Sequence, residues 1–294
     1  MAALTRPWEF VMEFPIFINC RDRLTPLREL VAWLEKAGQG LIYLVDNDSS
    51  YPPLLDYYET TPHHVVRLGQ NLGHKALWLT DELLEIRGTQ RFILTDPDIV
   101  PIEECPLDAL DMFSDVLDRY PDVSKAGFAL KIDDLPDHYR FRSEVLRWEG
   151  QFWHETVEPG LFRAPIDTTF ALYRESSEHA LKRGLRTGFP YLARHLSWYV
   201  DSNNLPEEDR YYQEHARSDV IHWSAQRVPQ YLLDKINALV PAPAAALSNT
   251  DLDTASKKVA SPLRHGKLAR RVSAWLGTTR NRKGQVDSRD DPPT

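Results

Sequence analysis

Two carboxylates one residue apart close an apolar run in RFILTDPDIVP, residues 91–101: Asp96 and Asp98, with Pro97 between them. A charge buried without a partner is costly, so the pair is either a solvent turn or a place where something positive sits. In an extended strand the two side chains would point apart. At a strand end turned by Pro97 both can reach a hard divalent cation, and such a cation would bridge the phosphates of a nucleotide. Two earlier apolar runs also end in polar groups, the first in Asn19 and Asp22 and the second in Asp46-Asn47-Asp48. Ligands of open α/β sheets bind at the carboxyl ends of the strands. Three such ends in succession look like one edge of a sheet built to hold a polar ligand.

The elements that must position these groups alternate. Residues 13–19, 41–50, 63–69, 91–96 and 124–132 read as strands. Helices are expected at 25–36, 54–60, 71–86 and 107–120, the first with Leu27, Leu30, Val31 and Leu34 at helical spacing behind Pro26. This alternation predicts an α/β fold with a mostly parallel sheet flanked by helices. From about residue 133 the texture becomes loop-rich and aromatic, with Trp148, Phe152, Trp153 and Phe162. These rings read either as core or as a stacking platform for a ligand with an apolar face. A strand at 167–174, a helix in SSEHALKRG followed by RTGFPYLARHLSWYV, and a helix at 205–216 complete this half.

Composition bounds the function. The chain has 294 residues, 42% hydrophobic and 27% charged, with net charge −8. That acidity argues against nucleic acid as a partner. Two distant cysteines, Cys20 and Cys105, make neither a disulfide framework nor a zinc site and suit a reducing compartment. Met1–Phe10 holds Arg6 and Glu9 and lacks an apolar core, so no secretory leader is expected. No run approaches the roughly 18 apolar residues of a membrane span, and a cytoplasmic protein is expected. One domain is expected over residues 1–236, with an alternating strand-helix half at about 13–132 and a loop-rich half at about 133–225. Residues 237–294 read as a linker and basic tail; from 251 on, ten Lys and Arg face five Asp. Residues 262–277 read as part of a solvated tail or as a basic amphipathic helix able to touch a membrane surface or a partner.

In order along the chain, PIFINCRDR, LIYLVDNDSS, VVRLGQNLGHKAL, FILTDPD and VIHWS resemble the successive motifs of a GT-A glycosyltransferase, similar to glycosyltransferase family 2. The resemblance covers roughly residues 13–225. It implies a GT-A fold and transfer of a sugar from a nucleotide-diphosphate-sugar donor to a glycan, lipid or small-molecule acceptor. Mn2+ or Mg2+ dependence and inversion at the anomeric carbon are implied with it. Residue by residue, it implies that Asp46 accepts from base or ribose and that Asn19 and the backbone around Asp22 line the base pocket. Asn71 and Gly73 would lie under the nucleoside, and Asp96 would face the ribose and the metal. Asp98 would bind the metal, with His222 as a further ligand. The plain alternatives are a turn at 96–98, a helix cap at 71–73, and packed core histidines at 195 and 222.

The chain departs from the family pattern in two places. Asn47 stands where an acid is common, and the usual Glu-Asp pair that supplies the base is replaced by YLARHLSWYVD. An inverting transfer needs one general base near the acceptor hydroxyl. Chemistry leaves His195 and Asp167 as equal candidates, followed by Asp201 and Glu155. Two competing readings are a non-catalytic nucleotide-sugar-binding module and, from the fit of FILTDPDIV to a nucleophile strand, a haloacid-dehalogenase-like phosphatase.

Overall fold

The computed structural model describes residues 13–175, 177–179, 183–216 and 223–239. His222, the whole of 262–277, and most of the expected linker and tail therefore lie outside the described residues.

The first half runs β1 (Ile16–Cys20), α1 (Thr25–Lys36), β2 (Ile42–Asp46), α2 (Pro52–Thr60) and β3 (His64–Arg67), then α3 (Ala76–Leu79), α4 (Asp81–Arg87), β4 (Phe92–Thr95), β5 (Ile99–Pro101), α5 (Ala109–Arg119) and β6 (Lys125–Leu130). The second half adds α6 (Arg142–Gly150), β7 (Thr156–Glu158), β8 (Leu161–Arg163), β9 (Ala171–Tyr173), β10 (Gly184–His195), α7 (Glu207–His215) and α8 (Gln230–Ala238). The strands form one sheet in the order β3-β2-β1-β4-β9-β6-β10-β8-β7, with β5 on β10. β1 to β4 pair in parallel, as do β6 and β10. β9 lies antiparallel between β4 and β6. Strands β1, β2, β3, β4, β6 and β10 thus share one direction, and their carboxyl ends share one edge.

The reason lies in the side chains. β4 and β6 are buried along their whole length, as strands covered on both faces must be. α1 lays Leu27, Leu30, Val31 and Leu34 on one face of the sheet, together with Leu110, Phe113 and Leu117 of α5. Each such side chain contributes roughly 1.5–3 kcal/mol when fully buried. Leu77 and Leu83 cover the other face over Phe17, Phe92 and Tyr173. Gly127 of β6 permits the close approach of β9: a Cβ there would stand 2.3 Å from the Phe170 carbonyl and 2.7 Å from Ala171 Cβ.

Four expectations need correction. The helix expected over 71–86 is broken into a 3-10 turn at Gly73–Lys75, α3 and α4. Thr80 between them is extended, and its hydroxyl donates to the Ala76 carbonyl at 2.9 Å, which draws the last turn of α3 closed. In SSEHALKRG, residues 177–179 are not helical and Gly184 already opens β10. β10 itself is a twelve-residue strand that apolar alternation does not mark; β5, β6 and β8 supply its hydrogen bonds instead. Its register slips between Thr187 and Leu192, a bulge closed by the Thr187 hydroxyl donating to the Tyr191 carbonyl at 2.7 Å.

α8 is the fourth correction. It runs to Ala238, so the boundary expected at 236 falls inside its last turn. Ile236 is fully buried, and Arg147 of α6 donates to the Ile236 carbonyl at 2.8 Å. Among the described residues no helix is long and apolar enough to cross a membrane.

Candidate active site

The shared carboxyl edge opens into a cleft of about 390 Å³. β1 delivers Asn19, Arg21 and Arg23 to it; β2 delivers Asn47; β4 delivers Asp96, Pro97 and Asp98; β10 delivers His195 and Ser197. β9 runs the other way, so the residues that precede it, Asp167, Thr168 and Thr169, reach the same cleft. Trp148 of α6, Phe152, and Tyr231 and Leu232 of α8 also line it.

Part of the lining is an amide lattice. Asn19 pairs in register with Val45, and Asn47 follows two residues on, so both amides leave the sheet on one face. Asn47 Nδ2 donates to Asn19 Oδ1, while Asn47 Oδ1 accepts from the Leu72 amide at 3.1 Å. Asn71 Oδ1 takes the Gly73 N–H at 2.9 Å. Gly73 has φ +65°, a left-handed conformation that costs glycine nothing. An acid at 47 could accept from Leu72 but could not donate to Asn19. The amide that departs from the family pattern is therefore the residue this lattice requires.

The cleft lining also carries charges. Asp98 Oδ2 accepts from Arg23 Nη1 at 2.6 Å and from the Ser197 hydroxyl, and His195 Nε2 stands 3.2 Å away. β5 pairs Ile99 with His195, which sets that histidine beside Asp98. Burial alone would raise the Asp98 pKa, but His195, Arg23 and Ser197 hold it well below the usual range. Among the described residues no cation is in contact with Asp96. Its Oδ2 accepts from Thr168 at 2.5 Å. Burial, and then the charges of Asp98 and Asp167, push its pKa up to about 7 against that hydrogen bond.

The donor set suits a hard cation in type, with the two carboxylates of Asp96 and Asp98 in one cleft. Among the described residues no three of His, Cys, Asp and Glu stand close enough to hold a metal by themselves. Mg2+-type sites commonly use one or two carboxylates and take their remaining oxygens from substrate phosphates. The two carboxylates fit a cation of that kind, on the condition that Asp98 gives up Arg23.

Not every expected residue reaches the cleft. Asp22 is fully buried, and its Oδ1 accepts from the Ser50 and Tyr51 amides at 2.6 and 2.9 Å, at the start of α2. Asp46 is buried behind the wall, where Oδ1 takes the Ser49 amide and the Tyr58 hydroxyl. Both carboxylates organise loops and do not line the cleft. Asp201 caps the Asn203 amide and Glu155 pairs with Arg163, both away from the cleft. The aromatic group divides. Trp148 and Phe152 face the cleft, and Trp153 packs on Phe162 at 5.2 Å.

Sequence reasoning missed Arg21, Arg23, Thr168, Ser197 and the buried Arg186–Glu149 pair, which meets at 2.7 Å in the cleft wall with Arg186 4.4 Å over Phe152. The one signal was RDR directly after the first strand. It placed two cations at an edge otherwise read as acidic.

No protein-family model matches this chain, and no curated protein matches it. Among solved structures, it is similar to the mannosyltransferase PcManGT from Pyrobaculum calidifontis, solved in complex with GDP-Man and Mn2+. Identity is 15% over 94% of this chain and 84% of that one, with a TM-score of 0.39. It is also similar to S. aureus TarS 1–349, at 16% identity over 41% of this chain and 36% of that one, TM-score 0.30. A third similarity is to an apo UDP-glucose pyrophosphorylase, at 15% identity over 60% and 74%, TM-score 0.34. At these identities and scores the likenesses set no constraint on what this chain binds or does. The order and direction of its own strands make the fold an α/β one, with a mixed sheet in which β1, β2, β3, β4, β6 and β10 run parallel, flanked by helices.

Proposed function

We propose that this chain is a glycosyltransferase that moves a sugar from a nucleotide-diphosphate-sugar donor to an acceptor hydroxyl. One observation carries the reading. The amide lattice of Asn19, Asn47, Asn71 and Gly73, the Asp96–Asp98 pair and the aromatic wall of Trp148 and Phe152 line the same cleft. These three groups suit a nucleoside, a diphosphate and a sugar respectively. Asn19 and Asn71 would lie against the nucleoside, and the aromatic faces suit the apolar face of a sugar. Mn2+ or Mg2+ would be held by Asp96 and Asp98, where it would neutralise charge on the leaving diphosphate.

Asp167 is the better placed general base. It is exposed in the cleft, and among the described residues no hydrogen bond or ion pair occupies its carboxylate. Its neighbours are pinned on both sides: Lys125 Nζ donates to the Ile166 carbonyl at 2.5 Å, and the Thr168 carbonyl accepts from the Asp96 amide at 3.0 Å. His195 instead turns Nε2 to Asp98, and its buried Nδ1 has no hydrogen-bond partner among the described residues. In this reading His195 positions Asp98.

The test is a panel of UDP-, GDP- and dTDP-sugars scored by thermal shift with and without Mn2+. A ligand at a hundredfold excess over its Kd adds about 2.7 kcal/mol to the folded state, so a matching donor should raise Tm only with metal present. Binding of a donor without transfer or hydrolysis across a broad acceptor panel would favour a binding module that has lost its chemistry. No metal-dependent shift with any donor would remove the transferase reading.

A further inference from the structure

Arg23 sits where a cation bound to Asp98 would have to come. Its Nη1 donates to both Asp98 Oδ2 and Ser197 Oγ. Nη2 leans toward Asp209 of α7 at 3.5 Å, the guanidinium lies 4.3 Å over the Tyr212 ring, and the buried Nε has no hydrogen-bond partner among the described residues. The side chain is buried, yet it lines the cleft. Arg23 thus has two supports, Asp98 on the cleft side and Asp209 with Tyr212 on the α7 side. Asp96, two residues from Asp98, is bonded among the described residues by the Thr168 hydroxyl.

A lone divalent cation approaching Asp98 meets the positive charge of Arg23. A cation arriving with a diphosphate does not meet that obstacle, because anionic oxygens arrive at the same time. Guanidinium binds phosphate oxygens at least as readily as it binds a carboxylate.

We propose that Arg23 and Asp98 form an exchangeable pair, in which Arg23 keeps Asp98 from a lone cation and turns to the diphosphate oxygens when cation and nucleotide diphosphate enter together. The cleft then takes metal and diphosphate as one unit. This rests on the transferase reading and adds to it an order of binding and a residue that enforces that order.

Calorimetric titrations test it, with Mn2+ alone, with UDP, GDP and dTDP alone, and with each nucleotide in saturating Mn2+. Wild type should bind Mn2+ alone weakly and one nucleotide diphosphate far better with Mn2+. Arg23→Gln should move the two affinities in opposite directions. Mn2+ alone should bind about tenfold tighter and the Mn2+–nucleotide about tenfold weaker, the scale of one charge-assisted hydrogen bond. Asp98→Asn should bind the same nucleotide more tightly without metal, because Arg23 is released, and should gain nothing from Mn2+. If Arg23→Gln proves unfolded by circular dichroism, Asp98→Asn decides alone. Weakening of both affinities in Arg23→Gln, or no change in either, would overturn the exchange while leaving the transferase reading intact. A wild type that binds none of the three nucleotides with Mn2+ would overturn both.

Discussion

Asn47 donates to Asn19 and accepts from the Leu72 amide with a single side chain. Replacing it with Asp keeps the acceptor and sets a carboxylate oxygen against the Asn19 carbonyl oxygen. Leaving one buried acceptor without its donor costs roughly 1–3 kcal/mol. Asn47→Asp should therefore lower stability in denaturant titrations by that amount and loosen the 71–73 turn, while Asn47→Ser should cost less. Asp96 makes a second prediction, in pH. Its carboxyl is raised to about 7 by burial and by Asp98 and Asp167, so the folded chain holds this proton more tightly than the unfolded chain does. The associated stability is present below the unfolded value near 4 and is lost as pH rises through 7. Asp96→Asn keeps the acceptor for Thr168 and removes the titration. Its Tm should match wild type near pH 4 and exceed it at pH 8 without metal. Equal Tm differences at both pH values would show that Asp96 is not strained by its charge. For the base, Asp167→Asn should cut turnover by about 10²- to 10⁴-fold with donor affinity nearly unchanged. His195→Ala would show the same split only if the histidine takes the proton.

At the scale of elements, the cleft depends on a tight seam between β6 and β9. Gly127→Ala would drive a methyl to within 2.3 Å of the Phe170 carbonyl, and two backbones would have to part. Overpacking of this kind costs typically 1–3 kcal/mol. Phe170 stands two residues from Thr168, so the shift should also reach the Thr168–Asp96 contact. The expected outcome is a lower denaturant midpoint together with weaker metal-dependent binding. A change in midpoint alone would show that the seam and the cleft are independent. α7 is tied in at more than one point. Glu208 accepts from the Leu24 and Thr25 amides at the start of α1, at 2.9 and 3.0 Å, while Asp209 and Tyr212 hold Arg23.

At the scale of the molecule, α8 belongs to the working unit. It buries Leu232 and Ile236, receives Arg147, and places Tyr231 and Leu232 in the cleft wall. A chain ended after residue 239 should keep its cooperative unfolding and its donor binding. One ended after 230 should lose stability, because deleting a buried Ile alone costs about 2–5 kcal/mol and Trp148 would lose its cover. Matching transitions for the two truncations would show that α8 contributes nothing to the fold.

The sequence by itself determined the local elements whose signals are local. Pro26 with the Leu27, Leu30, Val31 and Leu34 stripe specified α1 to the residue, and the apolar runs ending in polar groups located β1, β2 and β4. It also placed Asp96, Asp98 and Asn19 at strand ends, because a parallel sheet brings those ends to one edge. It did not mark β10, α6 or α8, whose stability comes from neighbours distant in the chain and not from periodicity. Only the tertiary structure decided which way each polar group turns. Asp22 and Asp46 satisfy backbone amides inside the protein, whereas Arg23, Thr168 and Ser197 converge on the carboxylates from 75, 72 and 99 residues away along the chain. A side chain's partner is set by the register of strands and the crossing of loops, and neither is written in the residues nearest to it.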